Sequence, residues 1–94
     1  MIRSFADPET ERIWTGRRSR RLPADIPVGA LRKLRLLNQA KVLGDLRVPP
    51  GNRLEALKGD RAGQHSVRIN NQWRICFVWT EGGPNDVGIV DYHG

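Results

Sequence analysis

A single cysteine, Cys76, and two histidines, His65 and His93, are all the soft metal ligands in these 94 residues. One thiol cannot close an internal disulfide, and with no second Cys a structural zinc site is not expected. No apolar run approaches the roughly 18 residues needed to cross a bilayer. Met1 to Phe5, followed by Asp7 and Glu9, has no signal-peptide core, so a cytosolic chain without membrane contact is expected. Phosphate-binding loops are missing as well. Gly82 and Gly83 precede a proline and open no helix, and Lys58-Gly59 lacks the upstream glycine and following Ser or Thr of such a loop. The carboxylates are not clustered as metal-assisted nucleases need, so no metal and no cofactor is expected.

Lysine is scarce, at 3 against 13 arginines, and the ten acids leave a net charge of +6. A surface of that sign attracts polyanions, and the planar guanidinium fork matches phosphate better than a point charge does. Arg-favouring codon usage explains the skew equally well. The excess sits wholly in one half. Residues 1–50 hold nine Arg and two Lys against five acids, whereas residues 51–94 hold four Arg and one Lys against five acids. The run Arg17, Arg18, Arg20, Arg21 reads as a solvated loop or as a docking patch for an acidic partner or nucleic acid. With 38% hydrophobic residues, the chain suits one domain over residues 1–94.

Met1 to Phe5 alternates like a short edge strand. Asp7-Pro8-Glu9 reads as a helix start and Gly16 as its stop. Between Pro27 and Ala40, Ala30, Leu31, Leu34 and Leu37 form an apolar stripe, with Arg32, Lys33 and Arg35 on other faces, which predicts an amphipathic helix from Val28. A short helical turn over Val42 to Leu46 precedes the break at Pro49-Pro50-Gly51. Beyond it, Leu54 to Leu57, a strand through Val67 and Ile69, Trp73 to Trp79, and Val87 to Tyr92 read as strands, with a turn from Glu81 to Asn85 between the last two. The class is α+β, two N-terminal helices packed on a mostly antiparallel sheet of four to five strands.

Parity carries the hairpin further. A three-residue loop at Asn70 to Gln72 pairs Val67 with Ile75 and puts the large apolar residues on one face, whereas a two-residue loop would set Val67 against Arg74. Arg68 then stands across from Arg74. Two like charges so opposed repel unless an acid from a neighbouring strand or a bound anion compensates them. At the C-terminus, Asp91, Tyr92 and His93 form the densest titratable group, with Asp91 and His93 on one face. Metal-free RNA cleavage needs a base for the 2′-hydroxyl, cations for the phosphorane and an acid for the leaving oxygen, and His93, Tyr92, Arg68, Arg74 and Lys58 are residue types able to fill those roles. His65 reads as a structural residue and Cys76 as inert packing.

The blocks Leu54 to Gly63, Ser66-Val67-Arg68-Ile69, Gln72 to Phe77 and Val90-Asp91-Tyr92-His93 together resemble the HigB toxins, the plasmid-maintenance-killer branch of the RelE/ParE superfamily of type II toxin–antitoxin systems. The resemblance spans nearly the whole chain. It implies a microbial-ribonuclease-like fold, cleavage of messenger RNA on the bacterial ribosome, neutralisation by a HigA-type helix-turn-helix antitoxin, and contact with operator DNA only through that antitoxin. It also implies an active site at Asp91, Tyr92, His93 and Lys58. Arg74 is expected beside them from its place on the hairpin, with Arg68, Arg61, Arg53 and Arg47 as RNA-phosphate contacts. Where some relatives carry a second histidine this chain has Glu55, either a base or the partner of an arginine. Gyrase-binding inhibitors of the ParE branch share the fold and are the alternative function, and a plain nucleic-acid-binding module is a third.

Overall fold

Asp7 is extended, and its carboxylate accepts the Thr10 amide at 2.7 Å, so helix α1 (Pro8–Trp14) starts where the cap and proline place it. The chain leaves α1 through Gly16 at φ +82, a left-handed conformation that glycine adopts without strain. The computed structural model describes residues 1–92; His93 and Gly94 lie outside the described residues. Thr10 ties the helix to the sheet. Its buried hydroxyl donates to Asp7 at 3.0 Å and accepts the amide of Ile89 at 3.0 Å.

Helix α2 (Ile26–Gln39) begins two residues earlier than the apolar stripe predicts, because Pro27 in its first turn has no amide to leave unsatisfied. Ala30, Leu34 and Leu37 are completely buried and pack with Val67, Ile75, Phe77 and Val87 of the sheet. Each such side chain contributes about 1.5–3 kcal/mol by leaving water. Short 3-10 turns follow at Leu43–Arg47 and Pro50–Asn52.

Four antiparallel strands lie in sequence order: β1 (Glu55–Ala56), β2 (His65–Arg68), β3 (Trp73–Thr80) and β4 (Gly83–Asp91). The predicted register holds at the central hairpin, with Val67 opposite Ile75 and Arg68 opposite Arg74. Three expectations change. Met1 to Phe5 is no strand: only Phe5 bridges Val87, in parallel. Pro84 has no amide to give and Asp86 bends to φ +50, so β4 cannot offer it a regular ladder. Leu54 to Leu57 shrinks to the two residues of β1, between Arg53 at φ +46 and the 3-10 turn Gly59–Arg61. The turn read over Glu81 to Asn85 closes at Glu81-Gly82, and β4 already runs from Gly83, with Thr80 opposite Gly83 and Trp79 opposite Pro84.

Helices α1 and α2 cover the Val67–Ile75–Phe77 face; on the other face Ser66, Arg74 and Cys76 are also buried, and Arg68 stays half-exposed at its rim. Thr10→Val should strand the Ile89 amide and cut the Asp7 link, a loss of about 1–3 kcal/mol. Thermal denaturation is expected to show a fall of several degrees or more; an unchanged melting temperature would refute the role given to this hydroxyl.

Candidate functional site

Strand parity sends Arg74 to the face opposite Ile75 and Phe77, yet its side chain is only 10% exposed. Four groups hold it. Nε donates to Ser66 Oγ at 2.7 Å, and Nη2 donates to the Arg53 carbonyl at 2.7 Å. The Glu55 carboxylate stands 3.7 Å from Nη2, and the Tyr92 ring lies 5.8 Å from Cζ. A buried guanidinium needs such partners, and an aromatic face adds cation–π attraction. Glu55 therefore takes the second of its two expected roles, partner of an arginine. Its side chain is 52% exposed, so water screens much of that attraction.

Arg68 faces Arg74 across the hairpin and donates to the Asn71 side chain, a neutral acceptor that leaves its charge uncompensated. Between these groups opens a cavity of about 300 Å³, lined by Arg53, Arg68, Asn70, Asn71, Arg74 and Tyr92. Every charged side chain in that wall is cationic. The chemistry suits a phosphate: guanidinium forks for its oxygens, amide donors at the rim and a phenol at one end. A second cavity of about 310 Å³ lies against α1, lined by Asp7, Glu9 and Arg21 among others. Its carboxylates are already committed, Asp7 to the helix cap and Glu9 to Ser19 at 2.6 Å and the Arg20 amide at 3.0 Å. The Ser19 bond, with the backbone amides of Arg20 and Arg21, holds the Glu9 carboxyl below its ordinary value.

The expected site residues divide accordingly. Tyr92, Arg74, Arg68 and Arg53 converge on the first cavity. Asp91 sits opposite Trp73, on the other side of β4 from Tyr92, and accepts from Gln72 Nε2 at 3.2 Å. His93 lies outside the described residues. Exposed Lys58 precedes the turn Gly59–Arg61, Arg61 donates to Gln64 at 3.1 Å, and exposed Arg47 ends the turn Leu43–Arg47; none of the three lines the cavity. Arg17, Arg18, Arg20 and Arg21 are exposed in the loop after α1. Asn70 and Asn71 join the wall although the sequence marks them only as turn residues. Their place was readable in part: a three-residue loop between two opposed arginines lies within reach of both guanidinium groups, although Gln72 turns instead to Asp91. Among the described residues no three His, Cys, Asp or Glu side chains converge as metal ligands would. His65 is half-buried and stacks on Phe77 with ring centroids 6.3 Å apart.

A fold of this kind, with a cationic pocket on the sheet face away from its helices, is that of RelE-like toxins. A family model described as the RelE-like toxin of type II toxin–antitoxin system HigB matches residues 3–93. Toxin HigB-1 of Vibrio cholerae is 40% identical over 83 residues, 87% of each chain. A Proteus vulgaris protein named Endoribonuclease HigB is 33% identical over 61 residues, 65% of each chain, and an uncharacterized Haemophilus influenzae protein is 29% identical over 73. The chain belongs to the HigB-like family of type II toxins, and an antitoxin partner follows from that membership.

Cys76 shares the Arg74 face but is 2% exposed, and burial pushes its thiol up against the opposing pull of Arg61 and Arg74. Ellman's reagent at pH 8 should leave it untouched in the native protein and titrate one thiol in guanidinium chloride. Rapid native reaction would place Cys76 at the surface.

Proposed function

We propose that this toxin is an endoribonuclease that cuts messenger RNA on the translating ribosome, in the bacterial cytoplasm, through attack of a 2′-hydroxyl on the adjacent phosphate. The observation that carries this reading is the Arg68–Arg74 pair, opposed across the hairpin at a wholly cationic cavity beside Tyr92. Guanidinium groups gathered at one site stabilise the dianionic phosphorane that forms as the 2′-oxygen attacks, and Arg74, already buried and hydrogen-bonded, needs no reorganisation to do so. The Proteus relative's name, endoribonuclease, points the same way. Proton transfer is assigned to the closing Asp91-Tyr92-His93, with Tyr92 lining the cationic pocket. Lys58, Arg61 and Arg47 serve as outer phosphate contacts along the message.

A HigA-type helix-turn-helix protein is the antitoxin in this reading, and the toxin reaches operator DNA only through it. The exposed arginines 17, 18, 20 and 21 are assigned to docking, on antitoxin or on ribosomal RNA.

Expression of the chain without its antitoxin is expected to produce new 5′ ends inside coding regions, mapped by primer extension. Arg74→Ala should slow cleavage of a message on purified ribosomes by on the order of 100-fold, and His93→Ala should also reduce it, in variants that melt cooperatively. Growth arrest with intact message and induced DNA damage would replace this reading with gyrase inhibition.

A further inference from the structure

Helix α2 brings another cation to the hairpin end of the sheet. Gly29 allows the close approach, since a Cβ there would lie 3.3 Å from Ile69 Cγ2. Lys33 follows one turn later on the same helix face, and its Nζ donates to Asn52 Oδ1 at 2.5 Å. Asn52 is 1% exposed, and its Nδ2 donates to the carbonyls of Leu46 and Val48 at 3.1 and 3.3 Å. The ammonium is thus tethered to a rigid point one residue before Arg53, which lines the cavity. Among the described residues no carboxylate pairs with Lys33.

From this placement we infer that Lys33 is an RNA-binding residue, holding a phosphate of the substrate strand next to the one between Arg68 and Arg74. The inference rests on the RNA-cleaving reading and extends that site from the sheet onto α2. Electrostatics agrees with the geometry. Partial burial, then the charges of Arg32 and Arg68, hold the Lys33 ammonium below the usual lysine pKa. A protein that tethers a lysine so close to like charge spends stability on it, and an anion lying across Lys33 and Arg68 relieves that repulsion. Arg32, exposed beside it on α2, adds to the same field. A purely structural role for Lys33 needs only its hydrogen bond to Asn52, which an amide also supplies. That difference is testable.

Cleavage of a message on purified 70S ribosomes, with toxin in excess, separates the two roles. Lys33→Gln should raise the toxin concentration for half-maximal cleavage about tenfold, the value of one charge-assisted contact, and leave the plateau rate unchanged. Lys33→Arg should restore it, and Arg35→Gln, an exposed cation on another face of α2, should match the parent chain. A Lys33→Gln concentration dependence equal to the parent's, or a defect that Lys33→Arg does not mend, overturns the inference while RNA cleavage stands. A parent chain that leaves the message whole overturns both. Amine acetylation of the unaltered protein, read by mass spectrometry, gives an answer that no folding defect can blur. Ribosomes carrying a message 2′-O-methylated against cleavage should protect Lys33 severalfold and leave exposed Lys41 unchanged. Equal labelling with and without message, or full protection by empty ribosomes, would contradict a contact with the substrate strand.

Discussion

The repulsion between Arg68 and Arg74, opposed across the β2–β3 hairpin, is the constraint on which the rest of the site depends. Two guanidinium groups facing each other on a rigid sheet cost stability unless an anion or a set of acceptors relieves them. Relief comes unequally. Arg74 is buried and surrounded by Ser66, the Arg53 carbonyl, Glu55 and the Tyr92 ring, whereas Arg68 has a neutral amide at Asn71. One arginine is thereby fixed in place and the other keeps charge in reserve for a ligand. Such an asymmetric pair suits a site that must bind a phosphate and then tolerate more charge on it in the transition state.

The fold supplies that pair with a rigid base on the sheet face away from the helices. Leu34 and Leu37 of α2 pack with Val67, Ile75 and Phe77, so the alternation of β2 and β3 sends Arg68, Arg74 and Ser66 to the side away from the helices. The segment from Leu43 to Arg53 then folds past the hairpin, and its left-handed residue Arg53 turns a carbonyl toward Arg74. Asn52 sits inside that segment and links three parts of the chain: the 3-10 turn, α2 through Lys33, and the cavity through its neighbour.

Much of this was legible in the residues themselves. The α1 cap, the α2 stripe and the Arg68–Arg74 opposition all follow from local spacing, because each depends on period or parity within a few residues. The N-terminal segment misled, since Met1 to Phe5 alternates as a strand does; whether it pairs is decided by Pro84 and Asp86, some eighty residues away. The partners of Arg74 were legible only in part: Glu55 was expected as a base or as the partner of an arginine, with nothing to show which arginine. Glu55 and the Arg53 carbonyl arrive through β1 and an irregular turn, and no periodicity announces a backbone oxygen. The charge balance misdirects in an instructive way. The second half of the chain is neutral overall, yet three of its four arginines line one cavity, while the surplus of the first half lies largely on exposed loops and helix faces.

Melting of the purified toxin at constant ionic strength, with and without pyrophosphate, tests most directly whether the opposed pair is an anion site. Saturating anion at about 100 times its dissociation constant stabilises by about 2.7 kcal/mol, so the melting temperature is expected to rise by roughly 10 °C or more. Arg68→Gln should start no lower than the parent protein without the anion, because the repulsion is gone, and should lose most of the rise. A parent melting temperature that pyrophosphate does not move, or an Arg68→Gln variant that gains as much, would contradict the account.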